Sequence, residues 1–278
     1  MSKTLMIVAL VVALGVSARA DILDISTANA NYNSMVRDAK LRGDGAVFPD
    51  QNLGNASGGS QRFYANYLAD GTTVDTRKTH FLQWFDVSSI PVGSTIISAT
   101  LSTYFANQTA NNRTFVNVKL SELLPGKDWT EGVGQNPATD GSVTWNSQKG
   151  NTVPWATAGA NSGSDIDLGT TQVFDLVGVD GSGTTINRDV SAWVQGWVNN
   201  PANNNGMLWW GGNSADSDSG NKYFYLGSKE DGGTGNPSEG TAAGPRLLIE
   251  YTTVPEPGAV ALLGVALLGL IARRRKVS

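Results

Sequence analysis

The sequence contains no cysteine and a single histidine, His80, among its 278 residues. The first absence removes disulfides and every thiolate metal site. The second removes zinc sites built on two or three histidines and leaves little room for a Ser-His-Asp triad. No Gly-x-Ser-x-Gly turn accompanies His80. Positive charge is scarce as well. Six of the 20 basic residues and one of the 24 acidic ones lie in the outermost segments, 1–20 and 254–278. The body between them keeps 14 positive side chains against 23 negative ones, a net charge of −9. Such a body disfavours nucleic acid and anionic membrane surfaces, which need Lys/Arg patches, and tolerates divalent cations. Long helical periodicities and long apolar runs are also missing from the body.

The two ends carry the apolar runs instead. Lys3, the run Leu5 to Val16, and Ala18-Arg19-Ala20 follow the order of a secretory signal peptide, so segment 1–20 is expected to be cut after Ala20 by signal peptidase. The other end reads VPEPGAVALLGVALLGLIARRRKVS. Here Val254-Pro255-Glu256-Pro257 precedes an apolar stretch, Gly258 to Ala272, and the basic run Arg273-Arg274-Arg275-Lys276 closes it. At ~1.5 Å per residue that stretch makes about 22 Å of helix, against a hydrocarbon core of ~30 Å. Gly264 and Gly269 weaken it further. It is expected to be a marginal transmembrane helix, with its basic run left on the cytoplasmic side.

Between the ends, residues 21–253 are rich in Gly, Asn, Thr and Ser. Short runs recur between turn clusters: RFYANYL, THFLQWFDV, TIISATLSTYF, TFVNVKL, TQVFDLV, GMLWWGG, KYFYLGS and RLLIEYTTV. Many short β-branched and aromatic runs without βαβ alternation predict one all-β domain, a single antiparallel jelly-roll-like sandwich. In SATLSTYFA, the residues Ala99, Leu101, Thr103 and Phe105 share one face and predict a buried side. One short helix is expected over Asn187 to Asn200, because Val190, Trp193, Val194 and Trp197 fall at i, i+3, i+4 and i+7; Asn187 is its expected cap. Three stretches, 128–165, 211–221 and 229–245, are expected to be surface loops with little to bury.

Several segments, in order, resemble the DNRLRE family of exported β-sandwich domains, which includes carbohydrate-binding modules of alginate-degrading systems. DAKLRGDGAVFPDQNLGN, Asp38 to Asn55, looks like the family's first strand and Asn-x-Gly turn. FLQWFDVSSIPVGSTIISATLSTYF is similar to its most recognisable stretch, and DWTEG, SVTWNSQ, DVSAWVQGWVNNPANNNGMLWW, YLGSKED and GPRLLIEY follow in sequence. The stretch between DWTEG and FDLV is longer than the motif spacing requires. The tail resembles the PEP-CTERM sorting segment, associated with an exosortase, a membrane-embedded cysteine protease, and with exopolysaccharide or biofilm export in Gram-negative bacteria.

These resemblances imply an exported, non-catalytic protein of the cell envelope or extracellular matrix, anchored through its C-terminus, with exopolysaccharide as its partner and no nucleic acid. The alternatives are a polysaccharide lyase or hydrolase of the same architecture, or a purely structural matrix or surface protein. Sugar binding needs exposed aromatic faces, so the candidate platforms are Trp84, Trp209 and Trp210, the last two pointing to opposite faces of one strand. His80 is expected to be a structural or surface residue. A structural calcium is the one candidate cofactor, with Asp165, Asp167, Asp216 and Asp218 in oxygen-rich loops as candidate ligands.

Overall fold

The computed structural model describes residues 20–44, 48–54, 62–64, 79–106, 113–134, 137–138, 141–150, 152–179, 183–214, 223–231 and 244–253. Thirteen strands are named among them: β1 (Ala20–Ile25), β2 (Val36–Arg42), β3 (Arg62–Tyr64), β4 (Thr79–Phe85), β5 (Thr95–Ala106), β6 (Arg113–Glu122), β7 (Ser147–Lys149), β8 (Val153–Pro154), β9 (Gln172–Val179), β10 (Thr184–Asp189), β11 (Met207–Ser214), β12 (Tyr223–Leu226) and β13 (Arg246–Thr252). Two antiparallel sheets form the sandwich. The first runs β1-β13-β5-β12-β3, with β10 on the other edge of β5; the second runs β2-β4-β11-β6-β9. The expected all-β sandwich is what the chain forms.

The inner core follows from period-2 alternation. Ala99, Leu101, Thr103 and Phe105 of β5 are buried as expected, and meet Phe81 and Phe85 of β4, Phe115 and Leu120 of β6, and Trp209 of β11 across the interior. Each large apolar side chain buried in this way contributes about 1.5–3 kcal/mol.

The expected helix is shorter than its pattern. Residues 187–189 belong to β10, where Asn187 pairs with Ser102, so Asn187 is not a cap; α2 spans Ser191–Asn199. The periodicity holds where it matters, since Val190, Trp193, Val194 and Trp197 all enter the inner core. Polar clamps fix α2 against β5: Ser191 Oγ accepts from Ala99 N at 2.7 Å, and Gln195 accepts from Ile96 N at 2.8 Å while donating to Ser94 O at 3.0 Å. A one-turn helix, α1 (Tyr32–Met35), was not expected from sequence.

The larger correction concerns stretch 128–165. It is not a bare surface loop. Trp129, Val143, Trp145, Trp155 and Ala160, with Leu123 and Ile166 at its borders, form a second buried cluster on the outer face of the second sheet. Ala39, Leu41, Leu82 and Leu208 supply the sheet side of that cluster. The three tryptophans outweigh the low apolar content that made the stretch look loop-like. Much of the second sheet is therefore covered on both faces, and β4 is buried along almost its whole length. Stretches 211–221 and 229–245 fall largely outside the described residues.

Asn52 pins this outer layer. Its amide donates to Glu131 O at 2.6 Å and Val143 O at 2.8 Å, and its carbonyl accepts from Gly134 N at 2.9 Å and Gly54 N at 3.2 Å. A Cβ on Gly54 would collide with the Glu131 carbonyl, which is why the Asn-x-Gly turn ends in glycine. Replacing Asn52 with Ala orphans buried backbone groups on both sides of the contact and is expected to cost about 2–3 kcal/mol in chemical denaturation. A loss of only a few tenths would contradict the pinning role.

Candidate functional site

The three candidate platforms do not share one environment. Trp209 is 1 % exposed, edge-on to Phe105 at 5.2 Å and Phe174 at 5.8 Å, and donates to Gln83 Oε1 at 2.7 Å. It is an inner-core residue and offers no face to a sugar, which corrects its assignment. Trp84 and Trp210 point the other way, as strand alternation requires, and are half-buried against the outer cluster. Each already carries a cation over its ring, Arg37 at 4.1 Å from Trp84 and Lys119 at 4.3 Å from Trp210. Their indole N–H groups are bonded too, to Asn204 O at 3.0 Å and to Ser121 Oγ at 2.8 Å. Both rings serve packing, and the described residues do not unite the three into one platform.

The candidate calcium ligands are not brought together either. Asp165 is 0 % exposed and receives Ala156 N at 2.8 Å, Thr157 N at 2.9 Å, Ser162 Oγ at 2.8 Å and Lys127 Nζ at 3.0 Å. Burial pushes its pKa up, but these donors outweigh burial and hold the carboxyl below its ordinary value. With four protein donors, Asp165 is a structural knot rather than a metal ligand. Asp167 caps a local turn by accepting from Gly169 N at 2.8 Å. Asp216 and Asp218 lie outside the described residues.

His80 is 7 % exposed; its Nδ1 donates to Gly159 O at 2.6 Å, and Trp145 lies against it at 4.8 Å between centroids. The histidine fastens the outer layer to β4, a structural role.

A constellation missed from sequence lies where β2, the segment after β6 and the turn after β12 converge. Asp38, Glu131 and Glu230 place one carboxylate oxygen each within 4.8 Å of one another. Asp38 N donates to Glu131 Oε1 at 2.9 Å, and Lys229 N donates to Asp38 Oδ2 at 2.7 Å. The Lys229 ammonium pairs with Glu131, donates to Val36 O at 3.3 Å, and stands 3.9 Å from Glu230 Oε1. Arg37, the next cation, is turned aside to Trp129 O at 2.5 Å and Asp128 at 3.5 Å.

Burial dominates the titration of the trio, with crowding added for Asp38 and Glu230. Burial first, then Glu230 and Glu131, raises Asp38 well above the usual carboxylate range, against the help of Lys229. Burial and Glu131 push Glu230 up to about 7. Glu131 is raised by burial and partly restored by Lys229. One signal for the trio was visible in the sequence: its members sit in DAKLRG, DWTEG and SKED, three of the segments that carry the family resemblance.

Beyond the sandwich, β13 ends at Thr252, and the chain continues at once into its basic-ended tail. Residues 253–276 match the PEP-CTERM protein-sorting motif. This segment marks the chain as exported, held at a membrane by its C-terminus and sorted by an exosortase-type enzyme. Its own residues Val254 to Pro257, the stretch 258–272 and Arg273 to Arg275 lie outside the described structure. No helix among the described residues is long and apolar enough to cross a membrane. At the other end, β1 begins at Ala20, so a cut after Ala20 leaves all but one residue of the strand; Ala18 lies outside the described residues. No curated protein matches the chain.

Proposed function

We propose that the chain is a non-catalytic envelope or matrix protein that binds or organises exopolysaccharide, kept at the membrane by its PEP-CTERM segment until processing. The join carries the reading: β13 ends at Thr252 and the sorting motif starts at 253, which supports the sandwich as the exported part that the tail sorts. The ordered resemblance to DNRLRE domains supports a glycan partner. A buried His80, already bonded to Gly159, supports a non-catalytic role.

Two observations favour rival readings. The covering of Trp84 and Trp210 and the burial of Trp209 favour a purely structural matrix protein. A Glu230 carboxyl raised to about 7 beside Glu131 favours a glycoside hydrolase, whose acid must hold its proton near neutrality.

One experiment separates them. The full chain, purified in detergent, is applied to a glycan array and then incubated with each polymer. Retention on a polymer whose length stays unchanged is the expected result. Depolymerisation overturns the non-catalytic reading, and failure to bind any polymer leaves the matrix role. Mass spectrometry of exported protein is expected to find the C-terminus shortened from Ser278; an intact terminus refutes processing and leaves the anchor.

A further inference from the structure

We propose that Asp38, Glu131 and Glu230 form a divalent-cation site that takes calcium. Two independent observations meet here. The first is the placement of three carboxylates within 4.8 Å of one another, contributed by segments far apart in sequence. The second is Asp38 itself: it is 2 % exposed, and its Oδ1 is fully buried with no hydrogen-bond partner. A buried carboxylate oxygen left without a donor is costly, and a cation is the partner that its position invites.

Charge counting points the same way. Among the described residues, Lys229 is the one cation with an ion pair to these three carboxylates; the Arg37 guanidinium attracts Glu131 from farther off, its own contacts being Trp129 O, Asp128 and the two indole faces of Trp84 and Trp129. The site can relieve this excess by taking up protons or by binding a dication. Burial raises all three acids first, and neighbouring carboxylates raise Asp38 and Glu230 further.

The donors choose the ion. An all-oxygen, hard set suits calcium or magnesium rather than zinc or copper. Calcium–oxygen bonds of ~2.3–2.6 Å let one ion bridge oxygens up to about 5 Å apart, whereas magnesium at ~2.0–2.1 Å reaches about 4.2 Å and demands an octahedron. Oxygens within 4.8 Å of one another fall inside calcium's reach, and calcium's looser shell asks less of their geometry than a magnesium octahedron. With one oxygen each, three carboxylates fill at most half of the 6–8 oxygen positions calcium takes, so water completes the shell. The affinity falls in the weak class of extracellular modules, on the order of 10⁻⁴–10⁻³ M.

The site has a structural meaning. Asp38 stands on β2, Glu131 in the outer layer and Glu230 in the turn Lys229–Asp231 after β12. One ion would tie three separate segments in a chain that has no cysteine.

The test uses the full chain in detergent, stripped with chelator, and the metal alone as probe. Calcium is expected to raise the melting temperature and to displace tryptophan-sensitised terbium emission, both saturating at about 10⁻³ M. Glu230→Gln is expected to weaken calcium by at least about tenfold, a loss of ~1.4 kcal/mol. The same variant should melt at or above the wild type without calcium, because one of three crowded carboxylates is gone. That comparison separates loss of a ligand from loss of the fold. Asp38→Asn, nearly isosteric, should also lose the calcium response. No calcium effect on melting or terbium emission overturns the proposal. Binding unchanged in both variants places the ion elsewhere and overturns it too. An equal response to magnesium overturns the choice of calcium.

Discussion

Asp165→Ala is expected to lower stability by roughly 3–5 kcal/mol, the usual cost of removing one member of a buried ion pair. The substitution strands Lys127 Nζ, Ser162 Oγ and the N–H groups of Ala156 and Thr157, all of which now converge on one carboxylate. Asp165 itself is fully buried, so solvent screening gives little relief. In a domain of this size, each kcal/mol moves the melting temperature by about 2–4 °C, and the fall should be plain by calorimetry. Hydrogen exchange adds location: protection should drop first in 141–166, the outer layer, before it drops in the paired strands.

The pH dependence follows with a definite sign. The folded carboxyl titrates below its ordinary value, so its contribution is complete above the unfolded value of about 3.9 and fades as the pH falls through the folded one. Wild type should therefore lose stability on the acid side of that value more steeply than Asp165→Asn. Parallel acid profiles for the two proteins would sink the assignment.

Trp209→Ala is expected to cost about 3–5 kcal/mol for the vacated volume, with more added for the stranded Gln83 amide. The indole fills the space between the sheets against Phe105 and Phe174, and Gln83 is itself buried. Its neighbour gives the control. Trp210→Ala removes a half-buried ring whose face meets Lys119, and a cost nearer ~1–2 kcal/mol is expected. Urea denaturation of the two variants measures the gap directly. Equal costs would mean that the two faces of β11 are not divided between core and outer layer as described.

The sandwich was legible because its strands alternate or run continuously apolar between Gly and Asn turns. SATLSTYFA buries the face that its pattern marks, and Trp209 and Trp210 divide between two clusters as adjacent strand residues must. The outer layer was not legible. Its apolar residues are few and irregularly spaced, and neither period marks them. The signal lay in the tryptophans of 128–165 and in THFLQWF, which has apolar residues on both faces of one strand. The helix lost its first turn to β10 because pairing with β5 outcompeted a start at Asn187. The acidic trio could not be read from local sequence, since spacings of 93 and 99 residues between its members carry no periodic information. Loop composition pointed instead to Asp165, whose surroundings turned out to supply donors rather than a space for an ion.

The position of β13 has a consequence for the order of events during export. This strand borders the sorting segment, yet it lies inside its sheet, between β1 and β5, with Thr252 beside Ala20. Until Arg246–Thr252 has emerged, β1 lacks its sheet partner and β5 lacks the neighbour along half its length. Premature closure of the sandwich is thereby disfavoured while the chain is still threading. Completion of the sheet also brings Ala20 and Thr252 to the same end, so the sorting motif, which starts at residue 253, begins beside the first residue of β1.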